Sequence, residues 1–353
     1  MAMEVQTVKT CEPAPQDEKE LEQRALDRME RLLTEGSEEP VNLKQTGQLP
    51  PWYDSKKFKK GQEFFHRNYF ALFVSKLAGL IILLSNQNML RVLKLTNKSS
   101  NKLTAFKRYM GTIRHMLSWY DGDLQTSGSS AHKSLMTVRG FHCAASNKAA
   151  SVGFGHISQR DMACTQFGFM GFSLLKFEIL GLVGTPEEIE GFIHFWRTIG
   201  YLLGISDEYN LCGGSIEETR ELCRILLEQN FVPDLEKNPP DFVEMSQALM
   251  EGMRAVIPAV DKYAFLGFTY FLCGLEFKQL LITFLSRCIC HYHIFCHKLL
   301  STPCLHIVFR PCFNYLVRLG IYCVEKFPSI TFFYFGQKIN WKDDDLTNLK
   351  LVH

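Results

Sequence analysis

The sequence predicts an all-α protein, and three observations carry the prediction. From Trp52 to Thr185 there is no proline, while Lys, Leu, Phe, Met and Ala are common. Proline in a helix interior costs about 3 kcal/mol, so its absence leaves room for long helices. Helix-start signatures recur in front of apolar runs. Strands lack support, because no alternating segments joined by Asn-Gly or Asp-Gly turns occur.

Taken in order, residues 1–40 read as an acidic, flexible arm with five basic and eleven acidic side chains. Gln16–Thr34 could form one acidic helix, but it offers few apolar positions for burial. Pro50-Pro51-Trp52 marks entry into the folded region. Tyr69–Ser85 is a long apolar segment broken by Lys76 alone. Over residues 103–120, Leu103, Phe106, Met110, Ile113, Leu117 and Tyr120 form one apolar helical stripe. Ser158 with Asp161 opens an apolar run to Leu175 as a capping box, which makes Asp161 a cap rather than a catalytic acid. Thr185-Pro186-Glu187-Glu188 and Ser215-Ile216-Glu217-Glu218 repeat the signature. Asn238-Pro239-Pro240 and Pro258 punctuate the chain before a Phe-, Tyr- and Cys-rich C-terminal tract. The expected organisation is an arm at 1–40, a helical domain at 41–260, and an apolar helical region at 261–353 associated with a membrane.

Composition narrows the function. Lys+Arg 39 against Asp+Glu 37 leaves a formal net charge of +2, so no whole-chain field attracts nucleic acid. The Met1 end has neither a basic n-region nor an apolar h-region, and no secretory signal is expected. The twelve cysteines are therefore read as reduced thiols. No run of 18 residues is free of charge, as a standard transmembrane helix would require. Gly153-Phe154-Gly155 does not extend to a dinucleotide fingerprint. The Cys288–His306 tract is rich in metal-capable side chains but lacks paired zinc spacings.

Arg108 and Thr112 are four apart and share a face opposite the apolar stripe. That face is either solvated or functional, and Ala105, His115 and Trp119 on it suggest burial. His142 shares a face with Val138 and Ala145. An imidazole there is either a hydrogen-bonded core group or a ligand, and as a ligand it suits proximal haem iron. Phe167, Phe169, Phe172 and Phe177, interleaved with Gly168 and Gly171, either line an apolar pocket or pack an ordinary core.

At these residues the sequence resembles the family of ER-bound MpaB-type oxygenases and rubber oxygenase (latex-clearing protein) catalytic domains. The likeness runs through Leu49-Pro50-Pro51-Trp52, Gly61-Gln62-Glu63-Phe64-Phe65, the Arg-x-x-x-Thr of Arg108 and Thr112, and Val138-Arg139-x-x-His142. It continues through Ile157-Ser158-Gln159-x-Asp161, Phe167 and Phe169, to Gly200-Tyr201-Leu202-Leu203-Gly204. The resemblance implies a globin-like helical core holding one haem b, with His142 as the proximal iron ligand. It implies that Arg108 and Thr112 bind the cofactor and serve the chemistry. It further implies an oxidoreductase using O₂ on an apolar, isoprenoid or lipid-like substrate, with no nucleic-acid partner, inside the cell at the endoplasmic reticulum or another membrane.

Two departures qualify the family pattern. The position before the threonine, where rubber oxygenases can place a distal lysine, is Gly111. Residues 91–107, where a distal glutamate would be sought, contain no acid. A non-catalytic haem- or lipid-binding member that lost its distal groups is therefore the alternative expectation.

Overall fold

The structure, a computed structural model, describes residues 15–42, 47–97, 99–257 and 260–339. Residues 1–14 of the expected arm and Pro258 lie outside that set. Helices follow one another as α1 (Pro15–Leu33), α2 (Glu35–Glu38), α3 (Ser55–Arg67), α4 (Tyr69–Ser85), α5 (Gln87–Thr96) and α6 (Lys102–Asp121). Next come α7 (Ser130–Ser151), α8 (Gln159–Leu175), α9 (Pro186–Leu202), α10 (Ile216–Leu226), α11 (Val232–Lys237) and α12 (Pro240–Met253). The chain ends in α13 (Lys262–Cys273), α14 (Phe284–Ser301), α15 (Leu305–Lys326) and α16 (Pro328–Phe335). The described residues contain no strand, only an isolated bridge between Pro40 and Ser158. The fold is all-α with apolar C-terminal helices.

The capping signatures do what their chemistry predicts. At α8, Asp161 N donates to Ser158 Oγ at 3.2 Å and Ser158 N donates to Asp161 Oδ2 at 3.1 Å. Asp161 is thus occupied as a cap. At α9, Glu188 accepts from Thr185 N at 2.9 Å and also from Arg67 at 2.6 Å, which ties α9 to the end of α3. Ser215 caps α10 without the reciprocal half, because the Glu218 carboxylate is turned to Arg28 of α1.

That ion pair explains how α1 departs from a free arm. Ala25, Met29 and Leu32, at three- and four-residue spacing, are buried against the core, and Arg28 also donates to Asn210 O at 3.0 Å. Three apolar positions and two long-range cations, Arg28 and Arg31 (the latter to Glu208 at 2.8 Å), dock an otherwise acidic helix.

The centre of the molecule is α4, buried along nearly its whole length. It meets α3 at a 93° bend around Asn68 and packs against α5, α8, α12, α13 and α15. Its approach to α8 is set by glycine: a Cβ on Gly79 would overlap the carbonyl oxygen of Gly168. Backbone atoms cannot move aside as a flexible side chain can. Gly79→Val is therefore expected to cost more than about 4 kcal/mol, read as a lowered urea midpoint; an unchanged midpoint would contradict this packing.

Helix α6 is enclosed on more than its predicted stripe. Phe106, Met110 and Tyr120 are buried as expected, and Ala105, Tyr109 and Trp119 are buried as well. The expected boundary at residue 260 marks a change of composition but not of core. Phe265, Phe268, Cys290, Val317 and Val324 join the same continuous apolar cluster as Phe64, Leu77 and Phe167. Buried Arg310 of α15 fastens this layer, donating to Asn68 Oδ1 at 2.8 Å, Gly181 O at 2.8 Å and Leu300 O at 3.2 Å. Although charge interrupts every long apolar run, α15 as a whole reaches a mean hydropathy of 1.3 over 18 residues, long and apolar enough by composition to cross a membrane.

Candidate functional site

Arg108 and Thr112 lie one turn apart on α6, and α7 packs against that helix. The Thr112 hydroxyl donates to the Arg108 carbonyl at 3.2 Å, the back-bonding available to a mid-helix threonine. Arg108 Nη1 donates to Thr96 Oγ1 at 3.3 Å, at the end of α5. Among the described residues no carboxylate pairs with this guanidinium. Burial lowers its pKa, and the neighbouring Tyr109 partly opposes that shift.

His142, on α7, lies close enough to Arg108 to feel its charge. Burial first, and then the Arg108 guanidinium, push the His142 imidazole down to about 4. It is therefore neutral over the physiological range. Its Nδ1 is buried with no hydrogen-bond partner. That leaves one ring nitrogen of His142 open, as Nε2 of the buried His297 is as well. His115, by contrast, has a partner: its Nδ1 meets Ser134 Oγ at 2.8 Å, and Trp119 Nε1 donates to the same hydroxyl at 3.1 Å.

Arg139 of the Val-Arg-x-x-His run works as a brace. It is buried and donates to Leu202 O at 3.2 Å and to Asn42 O at 3.4 Å. A cation at the C-terminus of α9 meets free carbonyls and the negative end of the helix dipole. It thereby fixes the turn of α7 that carries His142.

On the other side of Thr112, a cavity of about 30 Å³ opens among α4, α6, α8 and α12. Its lining includes Phe73, Leu77, Tyr109, Ile113, Phe169 and Met253, with no carboxylate. The Phe-rich run thus divides: Phe169 faces the cavity, whereas Phe167 and Phe172 are fully buried core.

Lys76 also lines this cavity, and the sequence reading did not single it out as functional. Its Nζ has no hydrogen-bond partner and sits 5.1 Å from the Phe65 ring centroid, 5.5 Å from Tyr120, 5.7 Å from Phe192 and 5.8 Å from Trp196. Burial pushes this ammonium down to about 7. The signal that could have found it is the charge-free character of the rest of Tyr69–Ser85. A lone cation in a helix buried on all sides has no route to solvent.

The donor set fits a haem. A neutral imidazole is the ligating form, its buried Nδ1 lacks a partner, and the Arg108 cation has no carboxylate of its own.

The fold itself is shared with latex clearing protein in its closed state, which is 16% identical, with a TM-score of 0.55 over 85% of this chain and 88% of that one. The class is therefore that of an all-α protein of this architecture. The chain belongs to the family described as ER-bound oxygenase mpaB/B′/rubber oxygenase, catalytic domain, whose pattern matches residues 65–264. No curated protein matches it in sequence.

Proposed function

We propose that this chain is a haem-b-dependent oxygenase acting with O₂ on an apolar, isoprenoid or lipid-like substrate, at the endoplasmic reticulum or another intracellular membrane. The observation that carries the proposal is His142: neutral, unpartnered at a buried ring nitrogen, and beside the half-buried Arg108 in an oxygenase catalytic domain. His142 would hold the haem iron, and the haem would supply the oxygen chemistry. Arg108 would offer its charge to a haem propionate, and through Thr96 it holds the end of α5 against α6. Thr112 presents its side chain to the cavity with its proton already committed to the helix backbone. The cavity beside Thr112 is apolar but has only about the volume of one water molecule, so the apolar substrate class rests on the family and not on this space.

A second reading is a haem- or lipid-binding member without turnover. It is favoured by Gly111, which carries no side chain, and by the lack of any carboxylate lining the cavity to act as a base. One experiment separates the two. The full chain, expressed with haem supplied, is expected to show a Soret band and to consume O₂ with a polyisoprenoid such as squalene. A stable Soret band without O₂ uptake favours the binder. Folded protein that takes up no haem overturns both.

A further inference from the structure

Large apolar side chains on a folded surface are ordinarily scattered, and a contiguous exposed patch marks an interaction site. Here they are gathered. Phe284 is 80% exposed, Phe333 83%, Val308 67% and Tyr315 63%, all on α14, α15 or α16. Helix α15 shows why. Phe313, Val317, Ile321 and Val324 face the core, while Val308, Tyr315, Leu319 and Tyr322 recur at helical spacing on the side turned outward. The helix is therefore apolar on two faces, and the described chain covers one of them.

The charges sort the possible occupants. Every exposed charged side chain between Phe284 and Phe335 is basic: Arg287, Lys298, Arg318 and Lys326. The acid of the region, Glu325, is half-buried and pairs with Arg114 at 3.4 Å. A second copy docking through a two-fold axis would set this patch against itself, cation facing cation. An anionic lipid surface meets both features at once, since acyl chains take up the apolar side chains, phosphates meet Lys and Arg, and Tyr suits the boundary between them. The helix does not cross the bilayer, because its inner face and Arg310 are locked into the core.

We infer that the outward face of α14, α15 and α16 is a docking surface that lies in the headgroup region of an anionic leaflet. The inference rests on the membrane association proposed above and is independent of haem. The apolar substrate class gives it purpose, because such molecules partition into the bilayer the face would touch.

The test uses the full chain with vesicles of phosphatidylcholine, alone or with phosphatidylserine, in a flotation assay. Binding is expected for the anionic vesicles and should weaken as salt is raised. Arg287→Glu combined with Lys298→Glu should weaken it by about tenfold or more. Phe284→Ser combined with Phe333→Ser should lower it comparably while the circular dichroism stays unchanged, since all four side chains are exposed. If both double variants float like the parent, membrane association stands and this face is not its cause. If the parent binds no vesicle and sediments as a dimer that the Phe284→Ser/Phe333→Ser variant dissociates, the face belongs to a second copy and the inference fails. The Soret band of the same sample reports separately on the haem reading.

Discussion

Lys76→Met is expected to stabilise the protein by about 3–5 kcal/mol at and below neutral pH, a gain that shrinks steadily in alkaline solution. The native chain holds an ammonium among four aromatic rings with no hydrogen-bond partner, and burial brings its pKa from 10.5 to about 7. Cation–π attraction offsets only part of the desolvation, and each tenfold change in protonation is about 1.4 kcal/mol. The sign follows from proton counting. Between pH 7 and 10.5 the unfolded chain binds a proton that the folded chain has lost, so wild-type stability climbs with pH across that interval. Methionine, similar in length and uncharged, removes this contribution. Urea midpoints of both proteins across the window check the claim through their difference. A difference that does not vary with pH would mean that Lys76 stays charged through the window.

His142→Ala is expected to abolish the Soret band in a protein that remains folded, with haem retained roughly a hundredfold less well or worse. Free imidazole added to the variant should restore much of the band. The apo protein should behave differently. Removing a buried, unpartnered nitrogen takes away a desolvation cost, so the variant without haem should be no less stable than the parent. It should also lose a slope. Between its pKa of about 4 in the fold and 6.5 in the unfolded chain, His142 makes the unfolded state the better proton binder, and parental stability falls as pH drops through that range. Haem binding unaffected by the substitution would remove His142 from the iron.

Much of this architecture is legible from local chemistry. The caps at Ser158 and Thr185 work within four residues of sequence, and the stripe on α6 is a matter of spacing. What sequence could not supply is partnership at long range. The docking of α1 depends on Arg28 meeting Glu218, nearly two hundred residues away. Glu218 itself looks like the second half of a capping box until the structure turns it elsewhere. The site divides the same way. Arg108 and Thr112 are readable as one helical face, but nothing in their spacing places His142 beside them; there the family resemblance did the work. Lys76 was visible as an interruption in an apolar segment. Its meaning required knowing that α4 is surrounded on every side.

The three carbonyl and amide oxygens gathered by Arg310 have a practical consequence for anyone preparing this protein. They belong to the bend between α3 and α4, to the loop before α9, and to the end of α14. A shortened chain ending near residue 260 would strip the clasp from that bend and expose the apolar floor beneath it. The greasy exterior is thus better treated by recolouring than by amputation. Swapping outward Phe, Ile and Val for polar residues reduces the exposed apolar surface and keeps the clasp intact.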